Sequence, residues 1–181
     1  MTDEPLWVFG YGSLIWNPGF AVAEQKIARL EGWHRSFCMS SIHHRGTVEE
    51  PGLVLALDKQ DGAHCDGVAF RVPDHEADAT MVYLRERELI SSAYLERQVE
   101  ISFRDGTRIP SVTYVIDAEH VQYVGDMTLE DQAQIIATAV GGRGPNDEYL
   151  TNTAAHLAKL KLSDPDLDWL VARVRRLKQR I

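Results

Sequence analysis

Cysteine is scarce: Cys38 and Cys65 are the only two in 181 residues. That excludes a disulfide framework, and no Cys/His spacing fits a zinc site. Both thiols are expected to be reduced. Long apolar runs are also lacking, since none approaches the ~20 residues a spanning helix requires. Positive charge is in deficit, with 19 Lys and Arg against 27 Asp and Glu, a net of −8. Nucleic acid and anionic membranes are held by basic surfaces, so neither is expected as a partner. A small anion gripped by local cations stays open. The opening "MTDEPLW" is acidic and does not read as a signal peptide, so a cytoplasmic protein is expected. Catalytic signatures are missing too: there is no Gly-x-Ser-x-Gly elbow, Walker loop or dinucleotide fingerprint. His34 lies near His43 and His44, but adjacent histidines on a strand point to opposite faces, so no metal is expected.

What remains is an ordinary globular composition, 44% hydrophobic and 25% charged, long enough for one domain over residues 1–181. The first half reads as short strands over 6–12, 26–33, 35–42, 52–58 and 65–73, with "KQDGAH" as a turn. Strands over 94–103 and 108–116 flank Asp105-Gly106, a hairpin signal. A helix is expected over roughly 75–90 with Asp74 as its N-cap. The last third is helical. Thr128 caps one helix that stops at Gly141-Gly142, "GGRGP" being read as helix stop and turn, and a second helix runs over 146–160. Asp164-Pro165 opens the last, whose apolar stripe is Leu167, Leu170, Val171, Val174, Leu177 and Ile181. Strands, one intervening helix and trailing helices make an α+β fold, with a curved or closed mixed sheet.

Two features point to chemistry. In "WVFGYGSLIW", Gly10 and Gly12 bracket Tyr11 where the first strand ends. Glycine weakens a strand interior, so the pattern marks either a β-bulge or a loop whose bare amides receive a ligand through positive φ and close approach. The second feature is Glu88. At 100° per residue, Ala77, Met81, Leu84 and Glu88 share one stripe while Glu86 lies opposite. A carboxylate on an apolar face is paired, protonated or useful. It is either an end-of-helix glutamate that reaches solvent or pairs with Arg85, or a general base whose proton affinity is raised by burial.

Taken together, "WVFGYGSLIWNPGF" (7–20), "GWHRSFCMSSIHHRGT" (32–47), "PGLVLALD" (51–58), "CDGVAFRV" (65–72), "RELISSAY" (87–94) and "GPNDEYLTNTAAHL" (144–157) resemble the ChaC-like family of glutathione-specific γ-glutamylcyclotransferases. The resemblance implies a γ-glutamyl cyclotransferase-like fold, a barrel-like mixed sheet with surrounding helices. It implies cleavage of glutathione to 5-oxoproline and cysteinyl-glycine with no cofactor or metal. It places the active-site glutamate on Glu88 and the substrate-binding loop on Val8, Phe9, Gly10, Tyr11, Gly12, Ser13 and Leu14. Arg85, Leu89 and Ser92 stand where bacterial relatives commonly carry tryptophan, methionine and glycine. The sequence leaves open whether Arg35, Arg85, Arg87, Tyr123 and Tyr149 line the pocket. It also leaves open a cyclotransferase for another γ-glutamyl amine or amino acid, and a non-catalytic regulator of cation transport on the same fold.

Overall fold

The computed structural model describes residues 4–90 and 92–180. Five strands close into a barrel, joined in the order β1-β3-β2-β4-β5. They are β1 (Trp7–Gly10), β2 (Glu24–Ser41), β3 (Gly52–Arg71), β4 (Tyr94–Phe103) and β5 (Arg108–Ile116). The sheet is mixed: β1 runs antiparallel to β3 and parallel to β5, and β4 is antiparallel to both β2 and β5. The expected α+β class with a closed mixed sheet is therefore found.

The chain divides into two compact units. One holds the residues up to Arg35 together with Leu57–His120, and the other Ser36–Ala56 together with Val121 onward. In the first, the buried interior is built from Val8, Phe9, Leu30, Val68, Phe70, Ile101 and Tyr114. The hairpin β4–β5 occupies the expected residues. Gly106 takes φ +89, the Phe103 amide donates to the Thr107 carbonyl at 2.8 Å, and Asp105 Oδ1 accepts from the Thr107 amide at 2.8 Å. In the second unit, α3 (Leu129–Thr138), α4 (Asn146–Lys159) and α5 (Pro165–Lys178) pack on one another. Thr128 caps α3 through the Asp131 amide and Asp164 caps α5 through the Leu167 amide, both at 3.1 Å. The α5 stripe buries Leu167, Leu170 and Val174, while Ile181 lies outside the described residues.

Several expectations are corrected. The segments 26–33 and 35–42 are one strand, and 52–73, with its supposed turn, is another ending at Arg71. Gly32 at φ +85 and Gly62 at φ +83 let each strand kink and continue, where an L-residue would be strained. The helix over 75–90 is a 3₁₀ turn, Asp74–Glu76, followed by α2 (Ala77–Glu88). Asp74 lies inside that turn, and neither element start has a side-chain cap. α3 ends at Thr138 rather than at the glycines, because Val140–Gly141 pairs with Gly144–Pro145 as β6 and β7. The amides of Gly142 and Arg143 are drawn to the carbonyls of His43 and His44, at 2.7 and 2.9 Å. Gly12 is followed by a single helical turn, α1 (Ser13–Trp16).

Candidate active site

Strand β1 is buried along its length. Its parallel register to β5 is short, with Val8 opposite Val112. Hydroxyls on β5 complete the pairing: Ser111 Oγ donates to the Trp7 carbonyl at 3.1 Å and Thr113 Oγ1 to the Phe9 carbonyl at 3.0 Å. Buried carbonyls left without such donors would be costly, so these β5 hydroxyls hold the strand that delivers the loop.

Gly10 and Gly67 answer to packing. Neither Gly10 nor Gly12 has the positive φ considered above, and Gly12 lies at φ −140. A Cβ on Gly10 would lie 3.0 Å from the Phe70 ring and 3.1 Å from Leu14 Cβ. A Cβ on Gly67 would lie 2.3 Å from the Gly10 carbonyl oxygen. Bare backbone here lets β1, β3 and α1 close together.

Beyond Gly10 the loop is tied down. Tyr11 Oη donates to the Tyr114 carbonyl at 2.8 Å, and the Tyr11 carbonyl accepts from Arg35 Nε at 2.7 Å. Arg35, buried, also donates through Nη2 to the Asp66 carbonyl. α1 is held by bonds from the Ile15 amide to Gly12 and from Asn17 to Ser13, at 3.0 and 2.8 Å. Within so short a helix the first-turn amides, those of Ser13 and Leu14, have no intrahelical acceptor. The side chains of Val8, Phe9, Tyr11 and Leu14 are core, so this loop presents backbone and the half-buried Ser13.

Glu88 ends α2. Thr80 and Leu84 are buried and lie eight and four residues before it, on one line of the helix, whereas Glu86 is exposed. The Glu88 side chain is only 14% exposed and its Oε1 lies 3.4 Å from Arg87 Nε. Arg87 in turn donates to Ser13 Oγ at 3.2 Å and to the Asn17 carbonyl at 2.6 Å, which places the carboxylate beside the glycine loop. Arg85, the partner considered from sequence, turns instead to Glu96 of β4, with Nε and Nη2 at 3.0 and 3.2 Å from its oxygens.

Tyr114 was not legible in the sequence. Its hydroxyl donates to Glu96 Oε1 at 3.0 Å. Burial first, then the Glu96 hydrogen bond and the charges of Glu96 and Glu88, push its phenol far above the usual range, so it stays neutral. The Arg85 guanidinium holds the Glu96 carboxyl below the usual range, aided by the Tyr114 hydroxyl and against desolvation. Arg35, Arg85 and Arg87 belong to the first unit, and Tyr123 and Tyr149 to the second. There the Tyr149 hydroxyl accepts from the Leu55 amide at 3.2 Å, and Tyr123 pairs with Met39. Another residue missed is Asn146, fully buried, whose amide bridges both Leu53 backbone groups at 2.8 Å. Among the described residues, no three His, Cys, Asp or Glu side chains gather as metal ligands.

This closed mixed barrel, with a loop and a helix-end carboxylate beside its first strand, is the γ-glutamyl cyclotransferase-like fold. A solved structure of a yeast γ-glutamyl cyclotransferase specific to glutathione superposes with a TM-score of 0.89 over 99% of both chains, at 23% identity. The chain belongs to the ChaC-like family, whose profile, described as ChaC-like protein, matches residues 6–177. It is 36% identical to the glutathione-specific γ-glutamylcyclotransferase of Escherichia coli K12 over 175 residues, covering 97% of this chain and 75% of that one. Identity is also 36% to a glutathione-specific γ-glutamylcyclotransferase of Danio rerio over 166 residues, covering 90% and 83% of the two chains.

Proposed function

We propose that this protein is a glutathione-specific γ-glutamylcyclotransferase that converts glutathione to 5-oxoproline and cysteinyl-glycine, with Glu88 as general acid and base. The observation that carries the reading is the shielded Glu88 carboxylate, linked by Arg87 to the loop after β1. The α-amine of the γ-glutamyl group attacks its own γ-carbonyl carbon. A five-membered lactam C–N bond forms and the C–N bond to cysteine breaks. Because nucleophile and electrophile share one chain, holding it folded supplies several kcal/mol of the barrier reduction, of about 7–11 available from ideal placement.

Two tasks fall to the protein. The α-amine is largely protonated at neutral pH. An unperturbed carboxylate near 4.3 facing an amine near 7.8 meets an uphill transfer of about 5 kcal/mol. Glu88 takes the amine proton and returns it to the departing cysteine nitrogen, so no net proton is consumed at the site. Charge growing on the γ-carbonyl oxygen needs donors. The Ser13 and Leu14 amides are suited to that role, or to gripping the α-carboxylate, and one oxyanion donor is typically worth about 3–4 kcal/mol. In this reading residues Val8 to Leu14 form the substrate-binding loop through their backbone, and the whole chain acts as one cyclotransferase domain.

Two buried cysteines outside any disulfide suit a reducing compartment such as the cytoplasm. The net charge of −8 disfavours nucleic acid. Among the described residues no helix is long and apolar enough to cross a membrane.

The test is Glu88→Gln, assayed by 5-oxoproline release from glutathione. Loss of the base should cost about 10²–10⁴-fold in kcat. The exposed Glu86→Gln serves as control and should turn over like the parent. A folded Glu88→Gln protein retaining more than about a tenth of the parent rate would overturn the assignment.

A further inference from the structure

We infer that Arg87 is a positioning residue that couples the loop after β1 to the ionisation of Glu88. This deepens the reading above and rests on Glu88 being the base. The guanidinium is as sheltered as its neighbour, each side chain being 14% exposed. It reaches in two directions. Nε faces Glu88 Oε1 at 3.4 Å. Nη1 donates to the carbonyls of Asn17 and Pro18 at 2.6 and 3.0 Å and to Tyr83 Oη at 3.1 Å, and Nη2 donates to Ser13 Oγ at 3.2 Å. One planar group thus spans the carboxylate, both ends of α1 and the preceding turn of α2.

The loop is shaped to meet it. Gly19 takes φ +75, and a Cβ there would lie 2.0 Å from the Tyr83 hydroxyl, so the chain comes down directly onto the group Arg87 holds. Only a rigid fork with several donors makes these contacts together; an ammonium supplies the charge without the geometry.

Two consequences follow. A fixed cation against Glu88 favours its ionised form, the form able to accept the amine proton. The same cation holds the turn that carries Ser13 and Leu14. From β5, Tyr114 is neutral and bonded to Glu96. From β4, Glu96 is anionic and already matched by Arg85. The Ser13 hydroxyl does not titrate.

The experiment follows kcat/KM for glutathione against pH in the full chain, using Arg87→Met, Arg87→Lys and Glu88→Gln. Arg87→Met should move the acid limb up by about one pH unit, the lower end of the effect of an adjacent opposite charge. Arg87→Lys should leave the acid limb in place while kcat falls about tenfold, as charge is kept and the fork lost. An Arg87→Met protein with lowered rate and an unmoved acid limb would reduce Arg87 to a structural prop and overturn the inference. If Arg87→Met does not fold, Arg87→Lys decides: undiminished kcat refutes the tether. Glu88→Gln separates the two levels. Activity in that variant sinks the base itself, whereas a silent Glu88→Gln beside an unmoved Arg87→Met limb sinks only the role of Arg87.

Discussion

Gly67→Ala tests the geometry most sharply. In the native chain Gly67 is buried one residue before Val68, which pairs with Gly10. An alanine Cβ would sit 2.3 Å from the Gly10 carbonyl oxygen and 2.9 and 3.1 Å from two carbons of the Phe9 ring. The ring can tilt; the carbonyl belongs to backbone and cannot. To reach ordinary contact distance, β3 and β1 must separate by roughly 1 Å. Overpacking of this kind costs about 1–3 kcal/mol. The displaced carbonyl immediately precedes Tyr11, whose own carbonyl is held by Arg35, so the loop shifts with it. A misplacement near 1 Å in positioning groups can cost about 10²-fold in rate.

Gly62→Ala is the matched comparison. Nothing lies within 4 Å of its Cβ position, but φ is +83. The left-handed conformation costs an L-residue about 1–2 kcal/mol, comparable in stability yet remote from the loop. Urea unfolding and 5-oxoproline release from glutathione are measured on both. Gly67→Ala should lose stability and turnover, and Gly62→Ala stability alone. A Gly67→Ala protein with parental stability, or with turnover no worse than Gly62→Ala, would refute the close-approach argument.

Further expectations concern the second unit. Asn146→Ala strands the Leu53 amide and carbonyl, each 2.8 Å from the lost side chain. With two buried groups unsatisfied, it should destabilise by about 2–4 kcal/mol in urea unfolding, and a loss under ~0.5 kcal/mol would deny the bridge its role. Arg173 first, with Gln134, holds the Glu130 carboxyl at about 2 against an ordinary 4.5. A depressed carboxylate contributes stability above its unfolded value and loses it as pH falls through the folded one, here between about 4.5 and about 2. Glu130→Gln should therefore show a shallower fall of Tm across that window. The pair is only half-buried and screened by solvent, so the change is modest, and an unaltered acid limb would show that it contributes nothing.

What local rules govern could be read directly from the residues. Thr128 and Asp164-Pro165 start α3 and α5 because capping involves atoms three residues apart. Asp105-Gly106 turns the β4–β5 hairpin for the same local reason. The stripe through Ala77, Met81, Leu84 and Glu88 follows from helical period, which is why the sheltered carboxylate stood out before any coordinates. The remainder depended on partners distant in the chain. Gly10 is bare because Phe70 closes over it, although its sequence setting suggested a ligand cradle equally well. Arg87, not Arg85, faces Glu88, because Glu96 on a neighbouring strand claims Arg85. Asn146 finds its partners 93 residues away. Helical period, caps and turns act through bonds a few residues long, so sequence alone determined them. Which charge meets which, and where backbones touch, was decided only when the closed barrel brought remote strands within hydrogen-bond reach.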